Sequence, residues 1–492
     1  MSSTAQLPRL GSASGRWILL ATILGSSVAA LDATVVNIAL PRIGESLDTD
    51  VAGLQWTLNG YTLTLASFIL LGGSLGDRLG RRKVFVYGAI GFALTSVLCG
   101  AAVNIEMLVA ARLLQGVAGA MLTPGSLALI SASIDDRDRG AAIGLWSGFG
   151  GVAGALGPFV GGWLIGVAGW QAVFFINVPL VMVVVAVALR HVPESRDPDA
   201  APRSDIPGAV VVALALGALT FGLIDGNPAL VALGVLLLAA FVVVEVRSDH
   251  PLVPPALFAG PGGRVFTAAN LVTLAVYAAL GGVFFLLVLE LQLVAGYSPL
   301  LSGVATLPIT FIMLALSAPA GRWAQAHGPR LPMTVGPLVA AAGLVLLTRI
   351  GADTSYWRDV LPGVLVFGLG LSVLVAPLTG AVLGAVPASE AGIASGVNNA
   401  VARTAQLLAV AALPGLAGLS GALSDPSEFD AGFEVAMWIC VGLLAAGAAL
   451  AAGLLRPPRR APEPDRVDCL PQCAVVGPAL APARSLGSDS ST

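Results

Sequence analysis

The chain has 492 residues, of which 56% are hydrophobic and only 11% are charged, with a formal net charge of -3. About a quarter of the residues in a soluble globular domain are charged, so this composition argues against one. No nucleic-acid partner is expected from so weak a charge. The 60 glycines and 32 prolines suit apolar helices in a bilayer, which tolerate both better than helices in water. Arginine outnumbers lysine, Lys83 standing alone, which points to a GC-rich bacterial gene.

Apolar runs of spanning length, about 20 residues each, occur in order at 17–41, 53–76, 84–103, 107–134, 141–166, 170–189, 206–224, 229–246, 265–294, 300–321, 331–348, 360–385, 394–420 and 433–455. The first could be mistaken for a secretory leader, because Arg9 and Arg16 precede it and Val28-Ala29-Ala30 lies within it. It continues apolar to Pro41, which is long enough to span, and is read as retained. With both termini in the cytoplasm, basic residues collect on the inner side: Arg9, Arg16, Arg78, Arg81, Arg82, Lys83, Arg137, Arg139, Arg190, Arg196, Arg203, Arg247, Arg264, Arg322, Arg330 and the five arginines of the tail. Outer segments hold Arg42, Arg349 and Arg358, and they carry acid instead, Glu45, Asp48 and Asp50 in one and Asp425, Glu428 and Asp430 in another. This bias sets the expected orientation in a bacterial cytoplasmic membrane.

Two proline-rich cytoplasmic stretches, 190–204 (Pro193, Pro198, Pro202) and 247–264 (Pro251, Pro254, Pro255, Pro261), bracket one pair of helices. The expected organisation is a cytoplasmic N-terminus at 1–16 and a six-helix bundle at 17–190. A linker with two extra spans follows at 191–263, a second six-helix bundle at 264–455, and a disordered tail at 456–492. The halves echo each other, since Gly73, Gly80 and Arg82 recur as Gly321, Gly328 and Arg330. Repeats of this kind are a transporter signature. Cys99 and Cys440 read as small buried hydrophobes. Cys469 and Cys473 in the tail have no histidine near them, so neither a metal site nor a disulfide framework is indicated. No cofactor is expected.

Asp32 is the charge that the first span has to explain, because it lies in Leu31–Pro41 with no other charge between Trp17 and Arg42. A carboxyl there must be paired, line a wet cavity or stay protonated. Nine residues separate it from Pro41, about 13 Å at 1.5 Å per residue, and Arg112 in the fourth span lies at about 8 Å from the same face. The two are within reach of a pairing, either as a proton-transfer couple or as a static buried ion pair. Glu290 in the ninth span is a second proton site, a counter-charge for cationic substrates, or a side chain snorkelling to the outer interface. Asn399, Arg403 and Gln406 share one face of the thirteenth span, and Gln55 and Asn59 share one in the second, with Trp56 and Tyr61 beside them. Such faces line either a substrate cavity or another helix. Asn37 joins them as a candidate substrate contact.

The loop Gly73-Ser74-Leu75-Gly76-Asp77-Arg78-Leu79-Gly80-Arg81-Arg82 follows the second span. A plain basic loop would account for its arginines but for neither Asp77 nor the glycine spacing. Its pattern resembles the loop motif of the major facilitator superfamily. In the fifth span, Gly148 followed by Gly157-Pro158-Phe159-Val160-Gly161-Gly162 is similar to that superfamily's antiporter motif. The Leu31–Pro41 stretch resembles the first-helix motif of its fourteen-helix drug:proton antiporters, which also insert two central helices. The resemblance covers residues 17–455, with Gln325 standing where the second half would repeat Asp77.

The resemblance implies an all-α membrane protein with the major facilitator fold, two six-helix bundles plus two central helices. It implies a monomeric proton-coupled antiporter exporting amphipathic drug-like or secondary-metabolite compounds. Asp32, Arg112 and Glu290 would then handle protons. Gly73, Asp77, Arg78, Gly80, Arg81, Arg82, Gly148, Gly157, Pro158, Gly161 and Gly162 would control the conformational change. The alternative is a proton-coupled uptake carrier for a small polar nutrient, which would call for more hydrogen-bonding groups along the spans. A nucleotide-driven pump or membrane enzyme is disfavoured, because no G-K-[ST] loop exists and His191, His250 and His327 all fall outside the spans.

Overall fold

A computed structural model describes residues 7–197, 205–260, 262–387, 390–419 and 425–455. Pro198, Pro202, Arg203, Pro261 and the tail from Arg456, with Cys469 and Cys473, lie outside the described residues. Among the described residues there is no strand. The long helices are α1 (Ala13–Leu47), α2 (Val51–Leu79), α3 (Arg81–Gly100), α4 (Ile105–Ser133), α5 (Asp136–Ala168) and α6 (Ala172–His191, interrupted at Ile176). They continue with α7 (Ile206–Ile224), α8 (Pro228–Arg247), α9 (Gly263–Leu293), α10 (Pro299–His327), α11 (Arg330–Leu347), α12 (Tyr356–Gly384), α13 (Ala391–Leu416) and α14 (Pro426–Leu454). All but α13 are long and apolar enough to cross a membrane. At 26 residues α13 also has the length, and its weaker hydropathy comes from Asn398, Asn399, Arg403 and Gln406.

Many of the helix starts carry a side-chain cap for their otherwise unpaired N–H groups. Ser12, Asp50, Asn104, Asp205, Asn227, Ser298 and Asp425 each cap a helix start with a side-chain oxygen. Two ends differ from expectation. The first helix does not stop at Pro41 but runs through it to Leu47, ending on Asp48 in the left-handed region (φ 48°). Glu428 and Asp430, expected in a loop, instead occupy the opening turns of α14, which Pro426 starts.

The six helices before α7 and the six after α8 pack in the same order. In the first half α1 packs on α5 and α6, α4 on α2 and α3, and α3 on α6. In the second, α9 packs on α13 and α14, α12 on α10 and α11, and α11 on α14. The halves meet along two seams, α5 with α10 and α2 with α13. The hairpin of α7 and α8 covers the second seam, α7 lying against both α2 and α13. There Leu63, Ala66, Leu216 and Leu407 form a small buried cluster, and Trp56 packs on Phe221 with ring centroids 5.8 Å apart.

Burial is inverted relative to a water-soluble fold. The helix α8 is apolar along most of its length and yet buries only Gly234 and Glu245. Leu94, Met182, Leu236, Val246 and Phe311 are among many large apolar side chains left outside. Exposed apolar surface on this scale has to be covered, and a lipid phase covers it.

Candidate functional site

Asp32, on α1, is completely buried inside the first half. Its Oδ2 accepts a hydrogen bond from Arg112 Nη1 of α4 at 2.6 Å, so the pairing open to Asp32 and Arg112 is made. Oδ1 accepts from Asn177 Nδ2 of α6 at 2.9 Å and from Gln115 Nε2 of α4 at 3.2 Å. Both amides also donate to Ser96 Oγ of α3, Gln115 at 2.7 Å and Asn177 at 3.2 Å. Arg112 is held in turn, Nε donating to the Thr57 carbonyl at 3.0 Å and Nη1 to Gln115 Oε1 at 2.6 Å. The Tyr61 ring lies beneath its guanidinium, 4.4 Å away, a cation–π contact. Five helices thus contribute to one polar network in which both Asp32 oxygens are paired, as a buried ion pair requires, while Asn177 Oδ1 has no partner.

Gln115, Asn177 and Ser96 were not singled out from the sequence. Gln115 carried a usable signal, since it falls one turn beyond Arg112 and so on the same face of α4. Asn177 is an isolated amide in an apolar run, and nothing local tells such a residue from a satisfied core amide.

The glycines of α5 lie one turn from the network. A side chain at Gly157 would meet Thr34 Cβ at 2.8 Å, and one at Gly161 would meet Val35 Cγ1 at 3.0 Å, both on the turn of α1 after Asp32. On the opposite side of α5, a Cβ at Gly162 would lie 2.5 Å from Leu300 Cα of α10, and one at Gly303 would press on the backbone of Pro158. The helix α5 is therefore clamped between the Asp32 turn of α1 and the second half. All these contacts lie toward the face of the molecule that carries Pro41. There Gln55 Nε2 donates across the other seam to the carbonyls of Val410 (2.6 Å) and Ala411 (3.0 Å), and Gln292 Nε2 donates to that of Ile38 (3.1 Å). Toward the opposite face, which bears Arg78 and Arg82, Gly140, Gly144, Gly148, Gly151 and Gly154 meet nothing within 4 Å of a Cβ position. Both seams are closed at one face; toward the other, the glycine side of α5 meets nothing, while Ala142 is buried, Trp146 Nε1 donates to Ser26 Oγ of α1 at 2.7 Å, and a Cβ at Gly396 of α13 would lie 3.0 Å from Leu70 of α2.

At the basic face the turn between α2 and α3 depends on Gly80, whose φ of 122° is open to glycine and strained for other residues. Arg81 pairs with Asp77 (Nη2 to Oδ1, 2.7 Å). Arg82 donates its N–H to Glu194 Oε1 at 3.0 Å and its Nη1 to the Val192 carbonyl at 3.0 Å. The segment after α6 thus straps the loop, and Glu194 was missed because its partners are more than a hundred positions away. In the second half Gly328 repeats the turn (φ 92°), and Arg330 reaches the Ala452 carbonyl at the end of α14 at 2.7 Å. Gln325 replaces Asp77, so the ion pair within the turn has no counterpart there.

Of the other candidates, Asn59 is buried with Nδ2 unpartnered, and Asn37 is half-buried with Oδ1 unpartnered. Asn399 is exposed and donates to the Ser395 carbonyl at 3.4 Å, while Arg403 Nη1 bonds Gln406 Oε1 at 3.3 Å. Asn398 donates to Asn270 and Thr273 of α9. Glu290 belongs to the second half. It is fully buried, both its carboxyl oxygens lack a donor, and the Asp430 carboxyl of α14 lies within hydrogen-bonding reach. Among the described residues no group of three or more His, Cys, Asp or Glu side chains is arranged to hold a metal.

Comparison with known proteins agrees with this architecture. The family model described as Major Facilitator Superfamily matches residues 22–410. The chain belongs to the Major Facilitator Superfamily. This facilitator is 35% identical over 428 residues to the tetracenomycin C resistance and export protein of Streptomyces glaucescens, covering 84% of this chain and 78% of that one. It is 35% identical over 459 residues to the puromycin resistance protein pur8 of Streptomyces alboniger, covering 89% and 90%. In fold it is similar to a bacterial homologue of the human lysosomal transporter Spinster in an inward-facing conformation, with a TM-score of 0.63 at 18% identity, covering 90% of this chain and 97% of that one. This facilitator is a multi-pass membrane protein of a transporter family.

Proposed function

We propose that this facilitator is a proton-coupled antiporter that exports amphipathic drug-like or secondary-metabolite compounds across the bacterial cytoplasmic membrane, with both termini in the cytoplasm. Its similarity to resistance and export proteins of antibiotic-producing Streptomyces supports the substrate class. The observation that carries the coupling is the complete burial of Asp32 against Arg112.

A carboxylate held only by buried partners changes the local charge balance when it takes a proton. Neutral Asp32 no longer holds the Arg112 guanidinium, and the α1 turn bearing Thr34 and Val35 is freed to shift. The same turn packs against Gly157 and Gly161, so the shift passes to α5 and on to the α5–α10 seam at Gly162. The ion-paired geometry corresponds to deprotonated Asp32. The seams closed toward Pro41 and the unfilled glycine side of α5 toward the basic face support a carrier open to the cytoplasm. Substrate enters there, protonation from outside follows on reorientation, and proton release inward resets the cycle. Each net charge moved is worth about 2.3 kcal/mol per 100 mV, enough to sustain a roughly fiftyfold gradient.

The test is Asp32→Asn in proteoliposomes loaded with a pH-sensitive dye. Addition of an amphipathic fluorescent substrate releases protons from the wild type and none from the variant, at equal expression. Unchanged release in the variant removes Asp32 from the mechanism, and inward accumulation of substrate by the wild type reverses the assigned direction.

A further inference from the structure

Two carboxyls that the export cycle does not use meet where α7 begins and α8 ends. Asp205 caps α7, its Oδ1 accepting the Gly208 N–H at 2.8 Å. Glu245 lies in the last turn of α8, and its Oε2 accepts the Val253 N–H at 2.8 Å, folding the following segment back on the helix. Each carboxyl is therefore anchored by one oxygen and leaves the other free. Asp205 Oδ2 and Glu245 Oε1 are both enclosed and both without a partner. The residues are only 8% and 5% exposed, on a hairpin whose second helix buries almost nothing else.

Both free oxygens lie against Gly208. A Cβ at Gly208 would lie 2.8 Å from Glu245 Oε1 and 2.9 Å from Asp205 Oδ2. Glycine at 208 leaves open the space in which they face each other. Two ionised carboxylates cannot be stable there, because each accepts and neither donates. Among the described residues neither free oxygen has a hydrogen-bond partner. The charge acting on Glu245 is that of Asp205. Arg247, Asp249 and His250 are exposed, Asp77 of α2 pairs with Arg81, and Arg403 of α13 bonds Gln406, with Glu390 at that helix's start. A hard metal ion would need several more oxygens than two carboxyls supply. One proton needs only the pair.

We propose that Asp205 and Glu245 form a proton-binding site, with Glu245 donating to the Asp205 carboxylate and so tethering the start of α7 to the end of α8. The helix dipoles assign the roles, since the start of α7 favours negative charge on Asp205 and the end of α8 disfavours it on Glu245. The hairpin covers the α2–α13 seam, so the tether acts where the two halves move against each other. Burial of the two carboxyls beside each other favours one shared proton over two separate charges. The tether is therefore complete in acid and is lost as pH rises. This site is separate from Asp32 and does not depend on the direction of transport.

The experiment uses the full chain in lipid nanodiscs at neutral pH, comparing infrared spectra of the wild type, Glu245→Gln and Asp205→Asn. The wild type minus Glu245→Gln difference shows a protonated-carboxyl carbonyl band that fades as pH is raised. In thermal unfolding, wild-type stability falls over the same pH range. The fall is smaller in Glu245→Gln, because its amide donates to Asp205 at every pH, and an equal fall in the two overturns the proposal. Asp205→Asn loses the same band, which keeps the test valid if Glu245→Gln does not fold. Absence of the band from the difference spectrum overturns the proposal, as does stabilisation of the wild type alone by sodium, potassium or calcium. Asp32→Asn retains the band, so failure of this site and failure of the export cycle read out separately.

Discussion

Asp32 Oδ2 and Arg112 Nη1 stand 2.6 Å apart in a part of the first half that solvent does not reach. Removing one member of such a pair strands the other charge and costs about 3–5 kcal/mol, whereas removing both is often nearly neutral. Arg112→Met is therefore expected to lower the melting temperature sharply, and Asp32→Asn combined with Arg112→Met to recover most of the loss. Additive losses in the double variant would show that the two charges are not coupled.

Asn177 and Gln115 each donate to the Asp32 carboxylate. A hydrogen bond to a charged group contributes about 1.5–3 kcal/mol, so Asn177→Leu and Gln115→Leu should each destabilise the folded protein by that order. Thermal unfolding in detergent measures it. A loss no larger than that of an exposed substitution such as Asn399→Leu would place both amides outside the network.

Gly162→Val sets a branched side chain where a Cβ alone would meet Leu300 Cα at 2.5 Å. Overpacking costs about 1–3 kcal/mol, so the closed seam should lose roughly 5- to 150-fold in population. Spin labels at exposed Ser46 and Leu301 would report it as a shift to longer distances. A distance distribution that matches the wild type argues against α5–α10 closure at this glycine.

Gly80→Ala forces a side chain into a φ of 122° and against the Glu194 carboxyl, 2.7 Å from the Cβ position. Strain of this kind costs about 1–3 kcal/mol. Gly328→Ala, at φ 92°, should cost a similar amount. Melting temperatures of the two variants give the comparison, and no change at either position would remove the requirement for glycine there.

Glu290→Gln should raise stability at alkaline pH. The two Glu290 oxygens have no donor, and the group within reach is another carboxyl, so the ionised side chain is the costly form that the amide replaces. Unfolding followed above neutral pH tests this, and a lower melting temperature in the variant would reveal a donor that serves Glu290.

The amino-acid sequence by itself determined the fourteen helices, because a bilayer allows a helix in any long apolar run and leaves little else for the backbone to do. It also marked Asp32 and Arg112, since a charge in an apolar run is costly enough to be conspicuous. Only the tertiary structure decided what surrounds them. Asn177, Ser96, Glu194 and Asp430 are ordinary residues in sequence, and they matter through partners on helices distant along the chain. Gln55 and Tyr61 read as candidate substrate contacts on the second span, but one bonds across the seam to α13 and the other lies under Arg112. Helical spacing shows which residues share a face but not what that face meets, and in a bundle the neighbour is chosen by packing among all the helices at once. The same reason hid Asp205 and Glu245, two acids on the central hairpin that chain position alone assigns to separate helix ends and that folding brings against Gly208.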